Sequence, residues 1–306
     1  MLRSTLGAPP RSGGGTSASR STATHSLTAS RARVLAALLC AVVVLPAAWL
    51  SATSVQSLRL RVKIYRLYRA ELPRYLPVME ASPTWETDAV PPLLHFLVPS
   101  NRSRWVPVWR QCHASWERAF PGHTVRYWDD DDMERLVRDV YPQFARVYGA
   151  YTRQIQRADM ARYLVLHAHG GIYADSDYQC VRGFAHLLPR GRVSLAESPH
   201  SGEIVQNALM ASTPRHPFWA YVLRELLANV YVSDVVLSTG PRALLYAFDK
   251  APRRMVTLLP RSRFSRWPGR RVQKVVEPLQ AARMYNGSDA IYAVHLGTES
   301  WKDAVT

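Results

Sequence analysis

An α/β fold is the class this sequence predicts, and three observations predict it. From residue 93 onward, short apolar runs of strand length alternate with longer runs of helical period. A helical run at 155–169 closes on Gly170 and Gly171, and an apolar strand, 172–174, follows at once. That strand then delivers Asp175-Ser176-Asp177, which places an acidic pair past a strand's C-terminal end, where open α/β sheets bind ligands. A chain of 306 residues with 47% hydrophobic content is long enough to bury a substantial core.

Four stretches follow one another. Residues 1–33 are rich in Ser, Thr, Gly, Ala and Arg and contain no acid, the first being Glu71; such a stretch cannot bury a core and is predicted to be a disordered basic tail. Residues 34–50, extendable to Val55, form an uncharged apolar run near bilayer-crossing length, and Pro46 is tolerable in a membrane helix. The 34–55 run is expected to be a transmembrane signal anchor; a cleaved signal peptide and an organelle transit sequence are the alternatives. Basic residues lie on both sides of it (Arg20, Arg31 and Arg33 before; Arg59, Arg61, Lys63 and Arg66 after), so charge does not fix its orientation. Two glycosylation sequons, at Asn101 and Asn286, agree with a lumenal C-terminal part. Residues 56–90 read as a basic, Pro-containing stem, which is either a solvated helix or a contact for anionic headgroups.

The last stretch, 91–306, is predicted to be the folded domain. Within it, 93–98 is a buried first strand, 105–120 a helix and 124–128 a second strand. Asp129–Asp132 opens the next helix; the run lacks the glycine and terminal glutamate of a calcium loop, and acids favour a helix's first turn, so it is assigned to capping. Further short strands are expected at 193–196, 208–211 and 291–294, and helices at 218–228 and 242–248. Cys112 and Cys180 form either one bridge or two separate buried thiols.

The net charge of +16 favours phosphorylated or anionic ligands. Nucleic acid is the weaker choice of partner and none is expected, because no helix-turn-helix, zinc-finger or RNA-recognition pattern is present and much of the excess charge lies in the N-terminal 90 residues and an arginine-rich C-terminal stretch. Asp175 and Asp177 offer hard oxygen ligands for Mg²⁺ or Mn²⁺, and strand alternation is expected to point both to one side. A cation there would neutralise charge growing on a departing nucleoside diphosphate. Taken alone the triplet is equally a turn cap. Asp159 and Arg162 share a helical face and are either a pair for sugar hydroxyls or an intrahelical salt bridge. His95 lies inside an apolar strand and reads as a satisfied core histidine; His295, ending a later strand, is a candidate third metal ligand. The arginines of 253–274, beside Phe264, Trp267 and Pro268, form either a solvated loop or an acceptor- or membrane-facing surface.

The run from Arg157 to Asp177 closely resembles the donor-site signature of glycosyltransferase family 32, the DXD sugar transferases, which include inositol-phosphoceramide mannosyltransferases and fungal initiating α-1,6-mannosyltransferases. LLHFLVP, RYWDDDDM, NALMASTPRHPFW, STGPRAL and AVHLGTESW resemble further blocks of that family, over residues 90–301. The resemblance implies a GT-A (Rossmann-like) nucleotide-sugar glycosyltransferase domain, a divalent cation (Mn²⁺ or Mg²⁺) and retention of anomeric configuration. It implies that Asp159, Arg162 and Asn207 hold the donor sugar, that Asp175 and Asp177 bind diphosphate and metal, and that His295 and Trp301 close over the diphosphate. His95 is carried with Trp301 as a nucleotide contact. The first strand departs from the family in lacking a tryptophan soon after its histidine, and Leu296 stands where a polar residue is common. The expected protein is a Golgi or endomembrane enzyme, a single-pass type II membrane protein with a lumenal catalytic domain. It would move mannose from GDP-mannose to a glycolipid or glycan such as inositol phosphoceramide. A UDP-galactose or UDP-glucose donor, a catalytically silent sugar- or lipid-binding protein, and a dehalogenase-like phosphohydrolase are the rivals.

Overall fold

Leu94 and Phe96 are almost fully buried on one side of the first strand, and His95 on the other, so both faces of the sheet are covered from its first element onward. The computed structural model describes residues 88–199, 204–264 and 291–298, all within the unit Leu67–Thr306. In chain order the main elements are β1 (Leu93–Leu97), α1 (Pro107–Ala119), β2 (Thr124–Trp128), α2 (Asp130–Val140), α3 (Ala145–Ala150), α4 (Gln154–His169), β3 (Gly171–Ala174) and β4 (Tyr178–Cys180). They continue with β5 (Val193–Glu197), β6 (Val205–Ser212), α5 (Phe218–Ala228), α6 (Val235–Ser238), α7 (Pro241–Lys250), β7 (Val256–Leu259), α8 (Arg261–Phe264) and β8 (Ala293–His295).

Six strands make one mixed sheet in the order β2-β1-β3-β6-β5-β7. β1 pairs in parallel with β2 and β3, β6 runs antiparallel to β3 and β5, and β7 is parallel to β5. A larger core joins α2, α4, α5 and α7 to one side of the sheet around Tyr163, Trp219 and Leu244. A second core sits under α1, where Trp116, Phe120 and Phe184 pack against Leu94, Phe96 and Ile172. This is the expected α/β class, with helices on both faces.

Local sequence sets the elements that lead to the acidic pair. Pro107 opens α1 at a position where its missing N–H costs nothing. Asp129 caps α2 by accepting from the Asp132 backbone N–H at 2.9 Å, while the Asp132 carboxylate accepts from the Asp129 N–H at 3.2 Å, so this acidic run does cap a helix. Gly170 has φ +64° and ends α4; a Cβ there would lie 2.8 Å from the Ser212 carbonyl oxygen. Gly171 has φ +89°, and a Cβ there would meet the Leu93 oxygen at 2.8 Å. The double glycine is what lets a helix turn directly into a central strand pressed against β1 and β6.

The structure corrects several expectations. Asp175 and Asp177 are not on an alternating strand: β3 ends at Ala174, and Asp175–Tyr178 is a turn closed by the Tyr178 N–H donating to the Asp175 oxygen at 2.9 Å. Ser176 pins that turn by donating to the Leu97 carbonyl at the end of β1. The strands β4 and β7 lie where no strand was expected. Cys112 and Cys180 are free thiols, both buried, so the bridge is not formed.

The transmembrane anchor is corrected as well. Among the described residues no helix is long and apolar enough to cross a membrane. The longest, α4, has 16 residues and carries Arg157, Asp159 and Arg162, against the roughly 20 apolar residues a span needs. The 34–55 run itself lies outside the described residues, as do the 1–33 tail, residues 56–87 of the stem, 265–274 of the arginine-rich stretch, Asn286 and Trp301. The membrane partner, the single-pass type II topology and the Golgi or endomembrane localisation rested on that anchor and fall with it.

Candidate functional site

Arg162 is the centre of the site. It projects from α4 into the sheet edge with only 5% of its side chain exposed, and its guanidinium joins two acids. One terminal nitrogen, Nη2, lies 2.9 Å from Asp159 Oδ1, one helical turn earlier. The other, Nη1, donates to Asp175 Oδ1 at 2.8 Å and to the Asn207 carbonyl at 3.1 Å. The ring of Tyr173 lies under it, 5.0 Å from the guanidinium carbon. Arg162 Nε is buried and has no acceptor among the described residues.

Asp159 is saturated from several directions. Asn207 Nδ2 donates to its Oδ1 at 3.0 Å and the Thr239 hydroxyl to its Oδ2 at 2.9 Å. Burial pushes its carboxyl up to about 6, and Arg162, Thr239 and Asn207 work against that. Burial also acts against the Arg162 charge, but Asp175, Tyr173 and Asp159 outweigh it and hold the guanidinium fully protonated. At neutral pH the pair is therefore a charged one.

The acidic turn divides its work. Asp175 is the more open, 28% exposed; its Oδ1 accepts from Arg162 and from the Tyr173 hydroxyl at 2.6 Å. Its carboxyl is raised by burial and by Asp177, with Arg162 opposing. Asp177 Oδ1 is 3.3 Å from His295 Nε2, and its Oδ2 accepts from the Thr298 N–H at 2.7 Å and hydroxyl at 2.9 Å. Burial works to raise Asp177, but His295 and Thr298 outweigh it and bring it down to about 2. Burial would lower His295; the two aspartates beside it raise it instead.

Asp175, Asp177 and His295 each offer a ligand atom, and these atoms lie within 4.8 Å of one another. Two carboxylates and an imidazole form a donor set that fits a divalent cation. The three come from different places: the aspartates from the turn after β3, the histidine from the end of β8, which pairs with β4 so that His295 stands opposite Tyr178.

Four predicted residues (Asp159, Arg162, Asp175 and Asn207) are thus joined in one network of hydrogen bonds and ion pairs, and Asp175 brings that network to the ligand cluster it shares with Asp177 and His295. Of the two readings of Asp159 and Arg162, the intrahelical salt bridge is present, at 2.9 Å, and Arg162 extends it to Asp175. His95 does not belong to it. It is fully buried, its Nε2 pairs with the Gly170 oxygen at 2.9 Å, and its Nδ1 accepts from Trp128 at 3.1 Å. Burial brings it down to about 3, so it is a neutral histidine held within the core. Tyr173, Thr239 and Thr298 were missed as site residues. STGPRAL and AVHLGTESW contain the two threonines, but nothing local says that their hydroxyls reach aspartates 80 and 121 positions away.

A family described as the glycosyltransferase sugar-binding region containing the DXD motif matches residues 107–194, which span α1 to the start of β5. This chain carries a DXD-motif glycosyltransferase domain related to the fungal inositol phosphoceramide mannosyltransferases. It is 27% identical over 219 residues to a mannosyl phosphorylinositol ceramide synthase of Saccharomyces cerevisiae, covering 69% of this chain and 53% of that protein. It is 29% identical over 178 residues to inositol phosphoceramide mannosyltransferase 2 of Schizosaccharomyces pombe, covering 56% of this chain and 46% of that one. The chain spans about half the length of these curated relatives. The solved PaToxG glycosyltransferase aligns with 64% of this chain and 79% of its own at a TM-score of 0.44 and 15% identity. In this glycosyltransferase domain the matched family region includes Asp159, Arg162, Asp175 and Asp177, while Asn207, Thr239, His295 and Thr298 lie beyond it.

Proposed function

We propose that residues 91–306 transfer a hexose from a nucleotide sugar to a glycolipid or glycan acceptor, with retention and dependent on a divalent cation. The preferred donor is GDP-mannose and the preferred acceptor an inositol-phosphoceramide-like molecule; the names of the relatives speak for a mannosyl group and for inositol phosphoceramide, and the guanine nucleotide is the proposal's own choice. The single observation that carries the reading is the bridge from the sugar-side set to the metal-side set: Arg162 spans Asp159 and Asp175, and Asp175 shares a ligand cluster with Asp177 and His295.

The roles follow from the chemistry of each group. Asp175, Asp177 and His295 would hold Mn²⁺ or Mg²⁺, which would supply positive charge where the leaving diphosphate gains negative charge. Asp159, Arg162 and Asn207 orient the donor sugar through its hydroxyls, and their mutual bonds fix them before the sugar arrives. The family resemblance assigns Trp301, which lies outside the described residues, to the diphosphate. The acceptor oxygen attacks the anomeric carbon on the face the diphosphate leaves, and the departing phosphate oxygen takes the acceptor's proton. Burial of Arg162 and Asp159 keeps water from competing with these contacts.

The test is a panel of GDP-mannose, UDP-galactose and UDP-glucose with the full chain and Mn²⁺ or Mg²⁺, following nucleotide release. GDP release from GDP-mannose that chelation abolishes, and that Asp177→Ala lowers at least a hundredfold, supports the proposal. Turnover of no nucleotide sugar, or release indifferent to chelation and to Asp177→Ala, overturns it.

A further inference from the structure

His295 is the one member of the metal cluster that does not come from the acidic turn, and its ring needs something to hold its plane. Tyr178 provides it. The two rings lie 8° from parallel with centroids 5.0 Å apart, at the facing position of the β4–β8 pair. Tyr178 is itself immobilised at both ends. Its backbone oxygen accepts from Trp116 Nε1 at 2.6 Å. Its hydroxyl donates to the Phe264 carbonyl of α8 and accepts from Gln206 Nε2 of β6 at 3.3 Å. It is fully buried, and it directly follows Asp177, so one residue connects the acidic turn to the histidine arriving from a strand more than 110 positions later.

The geometry points to Tyr178 as the positioning residue of this metal site, its ring acting as the platform that sets the His295 imidazole toward Asp175 and Asp177. This rests on the reading of those three residues as a divalent-cation site. A ligand ring free to rotate must be ordered on each binding event, whereas a stacked ring is already set; outer groups that orient a metal-binding histidine typically change affinity ten- to a hundredfold. Tyr178 touches neither cation nor substrate in this role. The platform is the ring, and the hydroxyl only fastens it, so phenylalanine is expected to replace it and an aliphatic side chain is not.

Mn²⁺ binding to the full chain, titrated without any nucleotide and read from the electron paramagnetic resonance of the free ion, tests this apart from catalysis. His295→Ala is expected to weaken Mn²⁺ binding by about a hundredfold, Tyr178→Leu by about tenfold, and Tyr178→Phe by less than twofold. In the His295→Ala background, Tyr178→Leu is expected to add less than twofold, because the ring acts only through the histidine. This last comparison separates positioning from a general loosening of the core, which would weaken binding in either background. Equal Mn²⁺ affinity in Tyr178→Leu and the parent, or a tenfold loss that persists without His295, overturns the inference and leaves the metal site standing. No effect of His295→Ala overturns the metal reading and this inference together.

Discussion

Asp159 accepts hydrogen bonds from Asn207, Thr239 and Arg162 while being 97% buried, an environment that makes its charge both necessary and expensive. Removing that charge leaves Arg162 with Asp175 as its one carboxylate partner among the described residues. Asp159→Asn is therefore expected to lower kcat/KM for the nucleotide sugar by between tenfold and a few hundredfold, since a charge-assisted bond contributes about 1.5–3 kcal/mol. The same residue sets a pH limb. With its carboxyl at about 6, protonation weakens the grip on Arg162 as pH falls through that value, so log kcat/KM is expected to lose its plateau below about pH 6. A parent profile flat from pH 7 to 5 would show that Asp159 does not titrate in the working range. At this scale the sequence showed the acids and the arginine, because their spacings of three and two are local. It could not show Thr239, Tyr173 or Thr298 as partners, because a hydroxyl's role depends on which strand end or loop folding brings beside it.

The β3–turn–β4 segment shows what an element adds to its residues. Gly171 holds φ +89° with the Leu93 oxygen and His95 Nε2 within 3.0 Å of where a Cβ would sit. Alanine there combines a left-handed backbone penalty with a clash against β1, so Gly171→Ala is expected to cost about 3 kcal/mol. Gly149, in α3, has open space at the same position, and Gly149→Ala is expected to leave stability unchanged or raise it by up to about 1 kcal/mol. Denaturant unfolding of the pair checks the contrast; similar midpoints for both variants would refute it. The glycine pair was legible as punctuation, since a helical period ends there and an apolar run begins. The three-residue β4 was not, because YQC carries no alternation to read and its strand character comes from pairing with β8, far away in sequence. The same is true of the acidic turn, whose i, i+2 spacing fits a strand and a turn equally well until the Tyr178–Asp175 hydrogen bond is seen.

Over the whole molecule, buried imidazoles set the response to acid. His95 is brought down to about 3, and His113, His167 and His216 to about 4, in each case chiefly by burial. An unfolded histidine takes its proton near 6.5, the folded ones only at 3–4, so between those values the unfolded chain binds more protons and stability falls as pH falls. Each such group contributes about 1.4 kcal/mol per pH unit. Asp177, held at about 2, adds to the loss only below about 3.8, whereas Asp159, raised to about 6, opposes it by taking up a proton first in the folded state. The balance favours unfolding between about pH 5 and 4. His113 is the most informative of the four. It sits 4.4 Å from the Phe96 ring and 5.2 Å from Tyr127, and both of its nitrogens are buried without a hydrogen-bond partner among the described residues. A polar group left unpaired in this way costs about 1–3 kcal/mol even when neutral. His113→Phe keeps an aromatic ring in the aromatic cluster while removing both the unpaired nitrogens and the titration. It is expected to raise stability at pH 7.5 by about 1 kcal/mol and to widen that gain as pH falls to 4.5, moving the acid midpoint downward. Chemical unfolding at the two pH values measures both effects. A gain that stays constant with pH would show that His113 is protonated in the folded chain, and a loss at both would show that its nitrogens have partners after all.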